Sequence, residues 1–216
     1  MASWMVHLRV ADRLLEHWPD LDAAAFVLGN IAPDSGVPNA DWTAFDPPKS
    51  VSHFKAYPDP PEAFCAKHFN AGINRTYSRR EYAFFLGYYV HLLTDAEWVS
   101  EVYAPFLRAH PDEAAADKDR LVRAAKEDWY DLDFLYLEQH PDFRAFSIYE
   151  HAEELDNVFL DVFPNDAFAD RRRYICDFYH GNEHGDLHRA YGYLTPEQAE
   201  AFVEHTVDTL LRRNIR

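Results

Sequence analysis

The chain has little glycine, almost no cysteine and no long apolar run. With 7 glycines among 216 residues and few β-branched runs, its composition favours helices over strands. Cys65 and Cys176 cannot form a disulfide framework and lack zinc-site spacing such as C-x-x-C, which predicts free thiols in a reducing compartment. No stretch reaches the roughly 18 consecutive apolar residues of a membrane span, and no basic segment precedes an apolar one. We therefore expect a cytoplasmic, unprocessed chain.

Basic side chains are also scarce, since 21 Lys and Arg face 37 Asp and Glu for a formal net charge of −16. Such a charge repels nucleic-acid backbones and anionic lipid surfaces, which are normally bound by clustered Lys and Arg. We expect neither a nucleic-acid partner nor stable membrane association, while a small anion bound at a metal remains compatible with the charge. The oligomeric state does not follow from the sequence.

Apolar residues recur at helical spacing along most of the chain and predict a single all-α domain, a multi-helix bundle over residues 1–216. The predicted helices are Trp4 to His17, a short helix through Asn30 with Asp20 and Asp22 as plausible caps, Arg80 to Phe106, 117–139, 147–163, 166–180 and 195–213. The last begins with Thr195, a first-turn proline and Gln198, the pattern of a capping box. Residues 35–60 show no sustained period and predict a long loop, either functional or loosely ordered.

The stretch from Tyr82 to Leu93 is apolar around its whole circumference, which is typical of a buried central helix. His91 and Asp95 follow one another at a spacing of four, so that a helix places both on one face within reach of a common ion. A buried His-Asp hydrogen bond is the commoner meaning of this spacing. However, an ionised aspartate in an apolar helix costs several kcal/mol without a cation or a full set of donors. Gly87 predicts a close approach by another segment.

Three further residues become interesting beside this pair. His7 faces inward on the first helix, Asp34 follows Ile-Ala-Pro, and His53 lies in the long loop. Each has an ordinary interpretation as a core histidine, a turn aspartate or a surface histidine. Together the five positions supply three imidazoles and two carboxylates, a set that suits zinc, and also manganese or iron, better than calcium or copper.

Four motifs carry a resemblance to a known family, and they are Trp4-Met-Val-His7, Leu28-Gly-Asn-Ile-Ala-Pro-Asp34, Ser52-His53-Phe54 and Phe85-Leu-Gly-Tyr-Tyr-Val-His91-Leu-Leu-Thr-Asp95. In order and rough separation they resemble the bacterial zinc-dependent phospholipase C family, whose all-α fold is shared with certain single-strand-specific nucleases. The resemblance covers mainly residues 1–106. It implies one zinc held by His53, His91 and Asp95, a neighbouring metal position with His7 and Asp34, and a bridging water as nucleophile.

The chain departs from the family's pattern at three places. Residues 1–3 precede Trp4, whereas the family's phospholipases expose an N-terminal tryptophan whose amine and carbonyl complete a metal position, so Trp4 is expected to be a packing residue. Glu101 stands where the family has a further histidine, and it could bind metal through oxygen. The family's later H-x-x-x-E pair has an imperfect counterpart in His151 and Glu154. We therefore expect one or two ions, Zn²⁺ first and Mn²⁺ or Fe²⁺ as alternatives, with His151 as a further candidate ligand.

Two other clusters stay outside the predicted site. His180, His184 and His188 keep a four-residue period, but Gly181 and Gly185 indicate a loop or a frayed helix end. The basic runs Arg79-Arg80 and Arg171-Arg172-Arg173 are typical of solvated faces, although one of them could orient a substrate phosphate.

The resulting functional hypothesis is a metal-dependent phosphoesterase that acts on a small soluble or lipid-derived phosphoester through a metal-activated water. Asp34 or Glu101 would serve as general base. The same ion could polarise the carbonyl of an amide or ester, and the residues alone do not decide between these substrates. A different class of answer is a non-catalytic helical binding or scaffold protein that retains a structural or vestigial metal site.

Overall fold

The computed structural model describes residues 1–41, 43–69, 76–152 and 160–216, and it is mostly helical. The α-helices are α1 (Trp4–His17), α2 (Ala23–Ile31), α3 (Lys49–Ser52), α4 (Pro60–His68), α5 (Arg79–Trp98), α6 (Ala104–Ala109), α7 (Pro111–Gln139), α8 (Arg144–Glu150), α9 (Ala167–His180) and α10 (Pro196–Arg212). A 3₁₀ turn covers Ala32–Asp34 and a π-helical turn covers Val99–Tyr103. The fold confirms the all-α prediction.

The predicted loop over 35–60 is more ordered than its composition indicates. Strands β1 (Val37–Pro38) and β2 (Phe45–Asp46) pair antiparallel, with Val37 opposite Asp46 and Pro38 opposite Phe45. The buried guanidinium of Arg171 donates to the carbonyl of Gly36 at 2.6 Å and anchors the start of this segment. The loop therefore delivers α3 and His53 to a fixed place.

Local capping signals set several helix boundaries as predicted. Ser3 accepts a hydrogen bond from the N–H of Val6 at the start of α1, and Asp22 accepts from Ala25 at the start of α2. Helix α2 ends just before the 3₁₀ turn that contains Pro33, because proline removes a donor there. Helix α10 opens with the capping box of Thr195.

Other boundaries differ from the prediction. Helical structure begins at Pro111 rather than 117, and Asp117 (φ −158°, ψ 88°) breaks it into two pieces. The carboxylate of Asp117 accepts from the N–H of Arg120, so the second piece does begin with a cap at the predicted residue. The helix expected over 147–163 is wrong in its bounds, since α8 covers Arg144–Glu150 and residues 151–152 and 160–163 are not helical. Residues 153–159 of this prediction lie outside the described ranges.

Helices α2 and α5 cross at two glycines, and this crossing forms the centre of the core. A Cβ placed on Gly87 would lie 2.1 Å from the carbonyl oxygen of Phe26, and one on Gly29 would lie 2.0 Å from that of Phe84. Real side chains cannot approach backbone atoms so closely, so both positions require glycine. The close approach predicted at Gly87 is confirmed, and it brings the end of α2 against the second half of α5.

The remaining described helices pack around this pair and share one hydrophobic core. Both cysteines are free thiols, Cys176 buried and Cys65 half-buried. Within the described ranges, no helix has both the length and the apolar character that a bilayer crossing demands.

Candidate metal centre

Five of the sequence-predicted site residues converge in the structure. His7 comes from α1, Asp34 from the 3₁₀ turn after α2, His53 from the end of α3, and His91 and Asp95 from α5. All five side chains are buried, although titratable groups are normally exposed. Residues that are up to 88 positions apart in sequence therefore share one small volume in the core.

The distances within this cluster match the edges of a metal coordination polyhedron. His53 Nε2 lies 3.3 Å from both His91 Nε2 and Asp34 Oδ1. Asp95 Oδ2 lies 3.9 Å from His91 Nε2 and 4.0 Å from His53 Nε2. Tetrahedral zinc with bonds of about 2.0–2.1 Å separates its ligand atoms by roughly 3.3–3.4 Å. The cluster is thus at, or slightly wider than, the spacing that zinc imposes.

His7 provides an independent test of whether the site fits a cation. Its ring stacks on that of His91, with centroids 3.8 Å apart and planes inclined by 6°, and its Nε2 lies 3.6 Å from Asp95 Oδ1. The side chain is fully buried, and neither ring nitrogen has a hydrogen-bond partner among the described residues. Buried polar atoms without partners are rare and costly, so an ion between His7 and Asp95 would satisfy a nitrogen that is otherwise unpaired.

A second layer of hydrogen bonds orients the two histidines beside Asp34. His91 Nδ1 lies 2.7 Å from the carbonyl oxygen of Asn30; because a carbonyl only accepts, Nδ1 carries the proton and the Nε2 lone pair faces the cluster. His53 Nδ1 is hydrogen-bonded to Ser52 Oγ at 2.9 Å, and Tyr88 donates its hydroxyl to the Ser52 carbonyl. Such outer partners fix the ring orientation of metal-binding histidines.

The surroundings favour the protonation states that a metal site requires. Burial alone would raise the pKa of Asp34, but Lys49 and the hydrogen bond from His53 outweigh it and hold the pKa well below its usual range. Asp95 follows the same pattern, with burial opposed by His7 and His91, and its pKa is also lowered. Burial and the neighbouring His7 lower the pKa of His91. Carboxylates are thus ionised and His91 is neutral, as ligation demands.

The five residues form overlapping groups. His53, His91 and Asp95, which the resemblance assigns to one zinc, bring one ligand atom each within 4.0 Å of the other two. Asp34 lies with His53 and His91, whereas His7 lies with His91 and Asp95. The reason is that the 3₁₀ turn after α2 borders α3, while α1 runs beside α5. His91 has only one free nitrogen and cannot bind two ions, but Asp95 directs Oδ1 towards His7 and Oδ2 towards His53 and His91. The Asp95 carboxylate therefore borders both groups and could contribute a ligand oxygen to either.

Two of the sequence-predicted residues do not reach the cluster. Glu101 is exposed on the π-helical turn, where the helix leaves the core, and accepts a hydrogen bond from Ser100 at 2.9 Å. His151 is exposed at the end of α8 and hydrogen-bonds to the carbonyl of Ser147. Its suggested companion Glu154 lies outside the described residues. Neither Glu101 nor His151 is therefore placed to bind the ion that the other five would hold.

The second histidine cluster separates at the end of α9, as its glycines predict. His180 pairs with Glu150 and His188 with Glu138, while the ring of His184 packs on Phe134. These three imidazoles have different partners and no common ligand position.

A cavity of about 770 Å³ opens beside the metal cluster, and Asp34 forms part of its wall. Its other walls carry aromatic rings that include Trp4, Trp129 and Tyr174. Trp4 packs edge-on against Tyr174, Phe178 and Tyr179, in line with the expected packing role.

Three lysines, Lys49, Lys55 and Lys126, also line the cavity, and sequence reasoning did not find them. Two come from the long loop and its helix α3 and one from α7, so no local motif marks them. The one signal in the sequence was that the whole chain contains only five lysines, which makes each of them a candidate for a specific role.

A buried carboxyl outside the cluster holds the start of α1. Ser3 donates its hydroxyl to Asp133 Oδ1 at 2.7 Å, and Tyr179 donates to Oδ2 at 2.8 Å. One residue earlier, the N–H of Ala2 donates to Asp95 Oδ1 at 2.9 Å. Burial raises the pKa of Asp133 to about 7 and outweighs both hydrogen bonds. The network therefore ties the N-terminal turn to both α7 and the metal cluster.

Asp133→Asn should change how the free energy of unfolding depends on pH. Between pH 3.8 and about 7 the folded chain keeps a proton on Asp133 that the unfolded chain releases, so wild-type stability falls as pH rises through this window. Because asparagine does not ionise, the stability of the variant relative to wild type should rise between pH 5 and pH 8, by at most about 3 kcal/mol. Urea unfolding of both proteins in chelator measures this difference.

Asp142→Asn, at an exposed aspartate, is the matched control and should leave the pH dependence unchanged. Parallel pH profiles for wild type and Asp133→Asn would contradict the assignment of a protonated Asp133.

The comparisons with known proteins agree with this geometry. Residues 6–98 match the family model described as zinc dependent phospholipase C. No curated protein and no solved structure shows significant similarity to the chain. The matched range includes all five buried residues of the cluster and excludes Glu101 and His151. Residues 6–98 of this chain thus belong to the zinc-dependent phospholipase C family, a family of phosphoester hydrolases.

Proposed function

We propose that this protein is a zinc-dependent phosphoester hydrolase whose metal ligands are His7, Asp34, His53, His91 and Asp95. The observation that carries the proposal is the fully buried His7, whose two ring nitrogens lack partners while its Nε2 faces Asp95 Oδ1 within a cluster at zinc spacing. The family match supports the choice of zinc over manganese or iron. The substrate, a small soluble or lipid-derived phosphoester, enters through the cavity beside Asp34.

Zinc bound here would supply a Lewis acid for the phosphoryl oxygens and a means of lowering the pKa of a water molecule. The chain's own residues do the rest. His91 holds its Nε2 lone pair towards the cluster through the hydrogen bond of its Nδ1 atom to the Asn30 carbonyl. The Ser52 hydroxyl orients the ring of His53, whose Nε2 faces Asp34. Lys49, with Nζ 3.4 Å from Asp34 Oδ1, places a positive charge where the substrate's phosphate arrives.

We assign Asp34 a ligand role rather than that of general base. Its Oδ1 is shared between His53 at 3.3 Å and Lys49 at 3.4 Å, so the oxygen is already engaged in holding the cluster together. Glu101, the other predicted base, lies on an exposed turn and has no place in the proposed reaction.

Positive charge at the cavity also bears on the alternative substrates. An amide or carboxylic ester is neutral and gains little from neighbouring ammonium groups, whereas a phosphoester is anionic. The lysines therefore favour phosphoester over carbonyl chemistry. The alternative of a scaffold with no ion leaves the Nε2 atom of His7 buried and unpaired, at a cost of roughly 1–3 kcal/mol that the ion would remove.

Protein purified without a histidine tag should contain one or two zinc ions per chain by elemental analysis. It should hydrolyse members of a phosphoester panel, lose this activity on treatment with a chelator and recover it when zinc is restored. The physical reason is that removal of the ion leaves the buried ligands without the charge that would activate water and the phosphoryl group. Carboxylic esters and amides with the same leaving groups serve as control substrates.

Protein that contains no metal, takes up none from solution and turns over no phosphoester would overturn the proposal and favour the scaffold. Turnover restricted to carboxylic esters or amides would keep the metal site but reject phosphoester chemistry.

A further inference from the structure

The charge of the cavity is opposite to that of the protein. The chain carries a formal net charge of −16 and five lysines, and three of these, Lys49, Lys55 and Lys126, line this single cavity together with Arg171. Among the described residues that line it, Asp34 supplies the only carboxylate. A concave site with walls of one sign concentrates ligands of the opposite sign, even on a protein whose surface repels them.

The three lysines differ in whether a carboxylate lies close enough to neutralise the ammonium group. Lys49 lies beside Asp34 and 5.1 Å from the ring centre of Phe45. Lys55 places Nζ 3.4 Å from the sulfur of Met1. In the described ranges, no carboxylate oxygen lies within 4.0 Å of the ammonium group of Lys55 or Lys126. Two positive charges in the cavity are therefore available to a ligand.

Lys49 and Lys126 face the same space although they come from α3 and α7. Burial, followed by the positive charge of Lys49, lowers the pKa of Lys126. Repulsion of this kind disfavours the ligand-free arrangement and is relieved when an anion enters between the two side chains. Such an arrangement is typical of a binding site for negative charge and has no benefit for packing.

We propose that the cavity selects phosphoesters that carry a second negatively charged group and rejects those that carry a cation. This inference rests on the proposed function, because the first phosphate is taken to lie at the metal cluster beside Lys49. Lys55 and Lys126 then hold the second anionic group. Aromatic walls alone could accept a quaternary ammonium group, but a cation here would be desolvated among like charges.

A series of two-carbon phosphomonoesters tests this proposal by binding rather than turnover. Phosphoethanolamine, ethyl phosphate and phosphoglycolate share one skeleton and end in an ammonium, a methyl and a carboxylate group. Calorimetric titration of the zinc-loaded full chain should give an affinity about tenfold higher for phosphoglycolate than for ethyl phosphate, with phosphoethanolamine weakest. The preference should diminish as ionic strength rises.

Lys126→Glu should abolish the preference for phosphoglycolate over ethyl phosphate. The preference is measured as the ratio of the two affinities, in which a loss of affinity common to both anions cancels. Lys67→Glu makes the same change in net charge at an exposed lysine of α4 that does not line the cavity. It should leave the preference within about twofold of wild type, which separates a local effect from a change in overall charge.

The outcomes distinguish this inference from the proposed function. Equal affinity for the three ligands, or a preference for phosphoethanolamine, would reject the inference and leave the phosphoesterase proposal intact. A phosphoglycolate preference that survives in Lys126→Glu, or that Lys67→Glu also removes, would reject the assigned lysine. Binding of none of the three to zinc-loaded protein would overturn both proposals.

The same charge chemistry could come from a soluble metabolite or from a lipid headgroup. Monomeric dihexanoyl phosphatidylinositol and its 4-phosphate differ only in a second phosphate and provide the lipid arm of the test. Tighter binding of the 4-phosphate, lost in Lys126→Glu, would support a lipid source. A Lys126-dependent preference confined to phosphoglycolate would support a soluble source, and no such dependence in either arm would contradict the proposal.

Discussion

His91→Ala is expected to remove bound zinc and to lower kcat/KM for phosphoester hydrolysis by more than about a hundredfold. Loss of a residue that only orients a metal ligand lowers activity by roughly 10–100-fold, and loss of the ligand itself should lower it further. His91 belongs to both groups of buried ligand candidates, and its Nε2 is 3.3 Å from His53 and 3.9 Å from Asp95. Its loss leaves the Asp34 and Asp95 carboxylates with too few partners to hold an ion. Elemental analysis and steady-state kinetics measure the two effects.

Two further variants show whether the effect is specific. His184→Ala alters an exposed histidine that packs on Phe134, and should change neither zinc content nor activity. His7→Ala should reduce zinc stoichiometry while the ion held by Asp34, His53 and His91 remains. Circular dichroism of all three proteins in chelator controls for loss of folding. Unchanged zinc content in folded His91→Ala would remove this residue from the site and sink the proposed function.

Gly87→Ala is expected to destabilise the protein by more than about 3 kcal/mol, beyond the usual cost of overpacking a core. The added Cβ would lie 2.1 Å from the carbonyl oxygen of Phe26 and 2.8 Å from the backbone nitrogen of Asn30. Both neighbours are backbone atoms of α2, so relief requires α2 and α5 to move apart. This movement would also withdraw the Asn30 carbonyl from His91 Nδ1, so zinc affinity should fall together with stability.

Gly192→Ala is the matched control, because a Cβ at that position meets no atom within 4 Å. Its free energy of unfolding in urea should stay within about 0.5 kcal/mol of wild type, as is usual for surface substitutions. An unchanged free energy of unfolding in Gly87→Ala would show that α2 and α5 are not as close together as the distances from the added Cβ imply.

The sequence predicted most helices from information that is close together in the chain, whereas the five residues of the cluster also required the family resemblance. Apolar periodicity and caps such as Asp22 and Thr195 define helices locally. The pair His91 and Asp95 was visible as a polar interruption of the most apolar helix. His7, Asp34 and His53 each have ordinary local interpretations, and the family's motifs were needed to join them.

What the sequence did not predict depends on three-dimensional placement. Glu101 occupies a family position in sequence, but it lies exposed on a π-helical turn outside the cluster. The grouping of Asp34 with His53, and of His7 with Asp95, follows from which helices are neighbours. Lys126 joins Lys49 at the cavity because α7 and α3 both border it, and no spacing in the sequence encodes this relation.

The five ligand candidates all lie within residues 6–98, whereas Lys126, Trp129 and Arg171 of the facing cavity wall come from later helices. Substitutions in α7 and α9 can therefore alter which molecule is accepted while the ion and its hydrogen-bonded histidines stay in place. Proteins with this arrangement can therefore differ in substrate while they retain the same metal chemistry. For an engineer, the second half of the chain is the place to diversify when a library of altered selectivities is wanted.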